Sequence, residues 1–136
     1  MKQLLPFFAL ILFATSSFGQ QSFEQEARTI ASSLATLYQM DQEQADAMYT
    51  IQLRKLNNLE AIAGFKQTDP LLYVSKLKSI ELSTDVSIQK MLTKGQQKIH
   101  TQVVLDRRKR RADLARKMAD QGANPRDIEI ALYELE

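Results

Sequence analysis

The 136-residue sequence has no cysteine, a single histidine and only four glycines. Without cysteine, the chain cannot form disulfide bonds, use a thiol nucleophile or receive a lipid through a cysteine thioether. The glycines form no phosphate-binding loop, and one histidine offers little for acid–base or metal chemistry. The sequence therefore predicts no enzyme, no cofactor and no bound metal.

The alternating β-branched pattern that is typical of strands is missing as well. All start and stop signals after the first twenty residues are helical, and linkers or low-complexity tracts are absent. We predict an all-α fold, a small bundle or elongated helical hairpins of four to five helices. Because disulfides cannot stabilise it, helix packing or self-association must do so, and we expect a homodimer.

The first residues have the pattern of a cleavable signal peptide. Lys2 precedes an apolar run over residues 4–14, and the small residues Ser17 and Gly19 suit a signal peptidase. The run is shorter than the ~20 apolar residues of a membrane-spanning helix. We expect cleavage after Gly19 and a periplasmic mature protein.

Removal of 19 of the 136 residues leaves 117, which is enough for one domain over residues 20–136. The whole chain carries 18 basic and 16 acidic residues, a net charge of +2, which falls to +1 without Lys2. The charged residues within 20–53 are mostly acidic and those within 54–100 mostly basic, and a basic C-terminal extension begins at about residue 103. The charges are therefore separated by sign along the chain.

Five helix starts are predicted from capping residues. Serine, threonine, aspartate or asparagine at such a start accepts a hydrogen bond from a free backbone amide, and a glutamine three residues later can close a capping box. The predicted starts are Ser22, Asp41, Asp69-Pro70, Thr93 and Asn124-Pro125, with stops at Gly64 and Gly122.

Apolar residues at helical spacing predict the packing faces. The longest such stripe follows Asp69-Pro70, and its length suits a dimer seam. The first helix is expected to pack through Phe23, Ala27, Ile30, Leu34 and Leu37, the third through Tyr73, Leu77, Ile80, Thr84, Ile88 and Met91, and the last through Ile128, Ala131 and Leu132.

Two of the helix starts carry the same short motif. In each, an apolar residue precedes the cap and a glutamine follows it by three: Met40, Asp41 and Gln44, then Leu92, Thr93 and Gln96. The second copy has the full form LTxxQ, and the first has Asp41 as an equivalent cap. The sequence resembles the Spy/CpxP family of small exported helical proteins over about residues 27–102. We expect the six motif residues to have structural roles.

Membership of this family would imply an ATP-independent periplasmic chaperone or envelope stress protein, typically a thin helical dimer that holds unfolded exported proteins on basic and apolar side chains. Cations on the central helices would then steer acidic clients. Ordinary surface charge is the alternative interpretation. The candidate client-binding residues are Arg54, Lys55, Lys66, Lys76, Lys78 and Lys90.

The densest basic block, Arg107, Arg108, Lys109, Arg110 and Arg111, departs from the family pattern because the family would end soon after the second motif. We expect residues 106–111 to face water, where they could also contact an acidic client or an anionic membrane. Export and the lack of interleaved aromatic residues argue against nucleic acid.

Two other functions stay open from the sequence. The protein could be an accessory regulator that binds a membrane sensor domain, as some relatives do. It could also be a metal-binding sensor. His100 and Gln96, one helical turn apart, are the only residues from which such a metal site could be built.

Overall fold

A computed structural model describes residues 17–135, and it describes side chains from Ser22 onward. The predicted signal peptide lies mostly outside this range. The described chain is all-α and has no strand. Its helices are α1 (Ser17–Tyr38), α2 (Gln42–Ile62), α3 (Phe65–Thr68), α4 (Pro70–Met91), α5 (Lys94–Asp120) and α6 (Pro125–Glu134).

Short turns reverse the chain between the long helices of a small bundle. α1 packs against α2 and α2 against α4, whereas α4 and α5 meet mainly through side-chain ion pairs. Near the turns that join α1 to α2 and α4 to α5 lies the first core cluster, formed by Ala31, Tyr38, Met48, Ile51, Ile88 and Leu92. Toward the other end of α2 and α4 lies the second core cluster, formed by Ile62, Tyr73, Leu77 and Ile80. Partly buried Ile130 and Tyr133 of α6 pack against this second cluster.

The local rules of capping account for most of the helix ends. Capping boxes are present at Asp41 and Thr93, and the side chains of Asp69 and Asn124 accept from backbone amides three residues ahead. α5 ends two residues before Gly122, whose φ of +79° suits glycine. The predicted start at Ser22 is wrong, because α1 is already helical from Ser17. The single turn α3 was not predicted.

The predicted stripe on α4 is buried inside this chain. Tyr73, Leu77, Ile80, Thr84 and Ile88 are buried, and Met91 is partly buried against the first core cluster. The interpretation of this stripe as a dimer seam is therefore wrong, since α2, α6 and the rest of the chain already cover it. The homodimer itself stays a prediction.

The packing faces of α1 and α6 differ from the predicted ones by small rotations. On α1, Ala27, Ala31 and Tyr38 are buried, whereas Leu37 is nearly half exposed. On α6, Ile130 and Tyr133 reach the second core cluster. Both helices contain apolar residues on more than one side, so periodicity alone does not select the side that the neighbouring helices cover.

Candidate functional site

The two motif copies meet at one end of the bundle. Nε2 of Gln44 donates to Oε1 of Gln96 at 2.8 Å, and Nε2 of Gln96 donates to Oε1 of Gln44 at 3.0 Å. The same oxygens also accept from the amides of Asp41 and Thr93, closing the two capping boxes. Each glutamine thus ties its own helix start to the other motif.

The side-chain amides of Gln44 and Gln96 also bind the backbone that leads into each turn. Gln44 donates to the carbonyl of Met91, and Gln96 donates to the carbonyl of Gln39. Each acceptor lies two residues before the other motif's cap, so the joint is nearly symmetric. Leu92 belongs to the first core cluster, and Met40 packs against that cluster. The six motif residues are thus engaged in caps and packing at this joint.

His100, the only histidine, lies in the interior between α1 and α5. Its Nδ1 is 3.0 Å from the hydroxyl of Tyr38, and the residue is 6% exposed. Burial lowers the pKa of His100; Asp85 raises it and Arg107 lowers it, both by smaller amounts. Within the described residues, no group of three or more histidine and carboxylate side chains could hold a metal ion. The His100 ring thus has the Tyr38 hydroxyl, and not a metal-ligand group, at hydrogen-bonding distance.

The basic block of α5 does not lie wholly in water. Arg107 makes two hydrogen bonds to the carboxylate of Asp85, and Arg111 makes two to that of Glu81. The side chains of Arg107 and Arg111 are 11% and 12% exposed. The prediction that residues 106–111 face water is wrong for these two arginines, because acids on α4 lie opposite them.

These ion pairs join α4 to α5 and set the charge of Glu81. Burial by itself raises the pKa of Glu81, but the hydrogen bonds from Arg111 and the charges of Arg107, Arg111 and Lys55 lower it overall. Lys109 and Arg110 remain exposed on the other side of α5, and Arg108 is exposed next to Arg107 and Arg111. The basic block therefore divides into a packing side and a surface side, as its helical spacing requires.

α6 is held by further contacts to cations. Nε of Arg111 donates to the carbonyl of Leu132 at 2.7 Å, and the Arg111 guanidinium lies 4.2 Å from the centre of the Tyr133 ring. Glu129 pairs with Lys78, and Glu134 pairs with Lys66 at 2.8 Å. These contacts fasten the C-terminal helix across α4.

Tyr73 and Glu134 form a polar contact beside the second core cluster. The Tyr73 hydroxyl donates to Glu134 at 2.8 Å, and burial together with this hydrogen bond raises the pKa of Tyr73 to about 12. Burial raises the pKa of Glu134, but its hydrogen bonds with Lys66 and Tyr73 lower it overall. Glu134 is therefore held ionised by two donors.

The six cations predicted to bind clients are not gathered into one patch. Lys55, Lys66 and Lys78 lie around the second core cluster and α6, and Lys78 lies 5.5 Å from the ring centre of Tyr133. Arg54 instead donates to Ser87 of α4 at 2.8 Å. Lys76 and Lys90 are exposed elsewhere on α4.

An apolar stripe runs along the solvent side of α4. Leu71 is 64% exposed, Leu82 is 67% exposed, and Val86 is also exposed. At 100° per residue, these three and Lys78 fall within about 80° of one another round the helix. We call this stripe the outer face of α4. None of its three apolar side chains belongs to either core cluster.

The outer face of α4 borders a cleft between α4 and α5, with a volume of about 400 Å³. Leu82 and Val104 supply apolar lining, while Lys78 and Arg108 add positive charge. The acids of the cleft, Glu81 and Asp85, are already paired with Arg111 and Arg107. The cleft is therefore an open, partly apolar surface with cations at its edge.

No protein-family model matches this chain, and no curated protein sequence or solved structure matches it either. Among the helices described over residues 17–135, none is long and apolar enough to cross a membrane. What can be inferred of function therefore depends on the residues and contacts themselves.

Sequence reasoning missed the outer face of α4 and the acids that face the basic block. One signal was present for the acids. Glu81 and Asp85 are four residues apart, as are Arg107 and Arg111, and the two pairs lie on either side of the turn at Leu92. Residues four apart lie on one face of a helix, so each pair gives its helix a charged face, and antiparallel packing of α4 and α5 can bring the two faces together.

Proposed function

We propose that this protein is an exported, ATP-independent holdase-type chaperone that binds unfolded clients on the outer face of α4 and in the adjoining cleft. The observation that carries the proposal is the row of exposed apolar side chains, Leu71, Leu82 and Val86, beside the cations Lys78 and Arg108. The proposal that the protein is exported rests on the signal-peptide pattern of the sequence.

The arrangement of the apolar residues favours binding over chance exposure. Isolated exposed leucines are common on soluble proteins, whereas grouped apolar side chains mark an interaction site. Leu82 and Val86 are one helical turn apart, and Leu82 also lines the cleft with Val104. From Leu71 to Val86 the stripe follows about 22 Å of helix, at 1.5 Å per residue. An extended or helical client segment could lie along it without entering an enclosed pocket.

The charges suit a loose, nonspecific holder. Arg108 lies at the edge of the cleft beside Lys78, which pairs with Glu129 of α6, and long-range attraction to such cations speeds the arrival of acidic segments. Exposed ion pairs add about 0–1 kcal/mol each, so contacts with these cations would not hold a client permanently. Weak apolar contact combined with electrostatic attraction is what an ATP-independent holder needs, because the client must leave without an energy-driven step.

The joint between the motifs supports the same proposal indirectly. Gln44 and Gln96 hold four helix ends together, which keeps α4 and α5 in place beside the cleft. Paired motifs of this kind carry the resemblance to the Spy/CpxP family, whose members include ATP-independent chaperones.

The test is suppression of client aggregation by the purified protein without its signal peptide. A reduced, thermally unfolded client is mixed with up to a fivefold molar excess of the protein without nucleotide, and light scattering is followed. We expect scattering to fall with increasing protein and the effect to weaken in 0.5 M salt. Unchanged scattering at the highest excess would rule out the proposed function.

A further inference from the structure

α6 covers the second core cluster in the way that a bound peptide would. It is ten residues long and places Ile130 and Tyr133 against a cluster built from α2 and α4. No residue of α6 is fully buried, so the helix lies on the surface of the bundle. The residues beneath it would form an apolar groove if α6 were displaced.

The charges of α6 are complementary to the groove. Its acids Glu129 and Glu134 pair with Lys78 and Lys66, two of the cations that the sequence predicted would bind clients. Between these acids, Tyr133 lies beside the cations of Lys78 and Arg111. α6 is therefore an acidic, amphipathic helix seated on basic and apolar side chains.

α6 is also well placed to detach while the rest of the bundle stays folded. A ten-residue helix is only marginally stable in isolation, and its ion pairs with Lys66 and Lys78 are substantially exposed to water. The link to α5 contains Gly122 in the left-handed conformation, which glycine adopts without strain. A short helix on the surface of a bundle, with no buried residue of its own, opens more often than a core does.

We propose that α6 occupies, within the chain, a binding groove for acidic amphipathic helices, and that a client segment of this kind displaces it. The groove is formed by Ile62, Tyr73, Leu77 and Ile80, with Lys66, Lys78 and Arg111 around it. That the segment which displaces α6 belongs to an unfolded client rests on the proposed function. The preferred segment carries acids about five positions apart with an aromatic residue between them, as α6 does.

The experiment uses the full mature chain and a fluorescent peptide that copies residues 124–135. In the variant Glu129→Lys with Glu134→Lys, both ion pairs become repulsions, so α6 leaves the groove. We expect this variant to bind the peptide with one-to-one stoichiometry and at least tenfold more tightly than the unaltered protein, as measured by fluorescence anisotropy.

A matched control separates groove binding from general attraction to added positive charge. Glu26→Lys with Glu43→Lys makes the same change in net charge at exposed acids of α1 and α2. We expect this control to bind the peptide no more tightly than the unaltered protein. An equal gain in the control would overturn the proposal.

A second variant guards against a folding defect. Ile130→Ala loosens the apolar seat of α6 without any change in charge, and we expect it to raise peptide affinity severalfold. Hydrogen exchange should show faster exchange in α6 and unchanged protection in α2 and α4. No gain in affinity in either folded variant, or loss of the whole helical signal in both, would overturn the proposal.

The result is also distinguishable from that of the chaperone assay. Peptide binding by the two α6 variants without suppression of aggregation would support the groove while rejecting the proposed function. Suppression of aggregation without peptide binding would overturn the groove and leave the proposed function in place.

Discussion

Gln44 and Gln96, 52 residues apart, donate hydrogen bonds to each other through their side-chain amides. The pair lies where α1 meets α2 and α4 meets α5, and each amide also reaches a backbone carbonyl of the opposite turn. One pair of side chains therefore couples two helical hairpins. The stability of the bundle should depend on both glutamines.

Replacement of Gln96 by alanine should destabilise the protein by about 1–3 kcal/mol, because it removes the capping-box bond and leaves Gln44 without its partner. The free energy of unfolding can be measured by urea titration. Gln102→Ala is the control, since it removes one exposed bond to Asp106 on the same helix and should cost less than about 0.5 kcal/mol. Equal effects of the two substitutions would contradict the role of the glutamine pair.

Gln39→Gly should stabilise the protein by about 1 kcal/mol. Gln39 has a φ of +55°, a left-handed conformation that costs a residue with a Cβ atom roughly this much. Its side chain is exposed, and the hydrogen bond that it accepts from Gln96 uses its backbone carbonyl, which glycine retains. The expected rise in melting temperature can be followed by circular dichroism. A fall instead would show that the Gln39 side chain makes a stabilising contact of its own.

Stability should decrease as the pH falls from 7.5 to 5.5, because of His100. Burial lowers its folded-state pKa below the usual 6.5, so in this range the unfolded chain binds the proton more readily than the folded protein. Urea titrations at the two pH values measure the change, and His100→Gln should remove most of it. Glu81 and Glu134 affect stability at lower pH than this, because their pKa values are lowered from 4.5. Identical pH slopes for the two proteins would contradict the prediction.

Arg111→Ala should cost about 2–3 kcal/mol, because Arg111 joins Glu81 on α4 to the Leu132 carbonyl on α6 and leaves a half-buried carboxylate behind when removed. Arg111→Lys should recover little, since an ammonium group cannot make the paired bonds of a guanidinium. Lys109→Ala, an exposed change two residues away, should cost less than about 0.5 kcal/mol in the same urea titration. A loss no larger than that of Lys109→Ala would show that the ion pair contributes nothing net.

Features that depend on neighbouring residues could be predicted from the sequence. The caps at Asp41, Asp69, Thr93 and Asn124 involve residues three apart, and the buried stripe of α4 follows from helical periodicity. The partner that covers the stripe could not be predicted, because an apolar face gives no information about whether it meets its own chain or a second copy.

Features that depend on how helices lie against each other were mostly missed. The sequence marks Arg107 and Arg111 as basic but does not show that Asp85 and Glu81 face them until α4 and α5 are set antiparallel. The outer face of α4 could not be predicted for the same reason. Leu71 and Leu82 have the same apolar character as buried leucines, and only the packing of the other side leaves them exposed.

The most direct measurement is the affinity of a labelled, permanently unfolded client for three proteins: the mature chain, Leu82→Ser with Val86→Ser, and Leu37→Ser with Leu135→Ser. All four positions are exposed, so each double variant should keep nearly its full stability. If the outer face of α4 holds the client, the first variant binds at least tenfold more weakly and the second within twofold of the mature chain. Equal affinity of all three proteins would contradict client binding at this face.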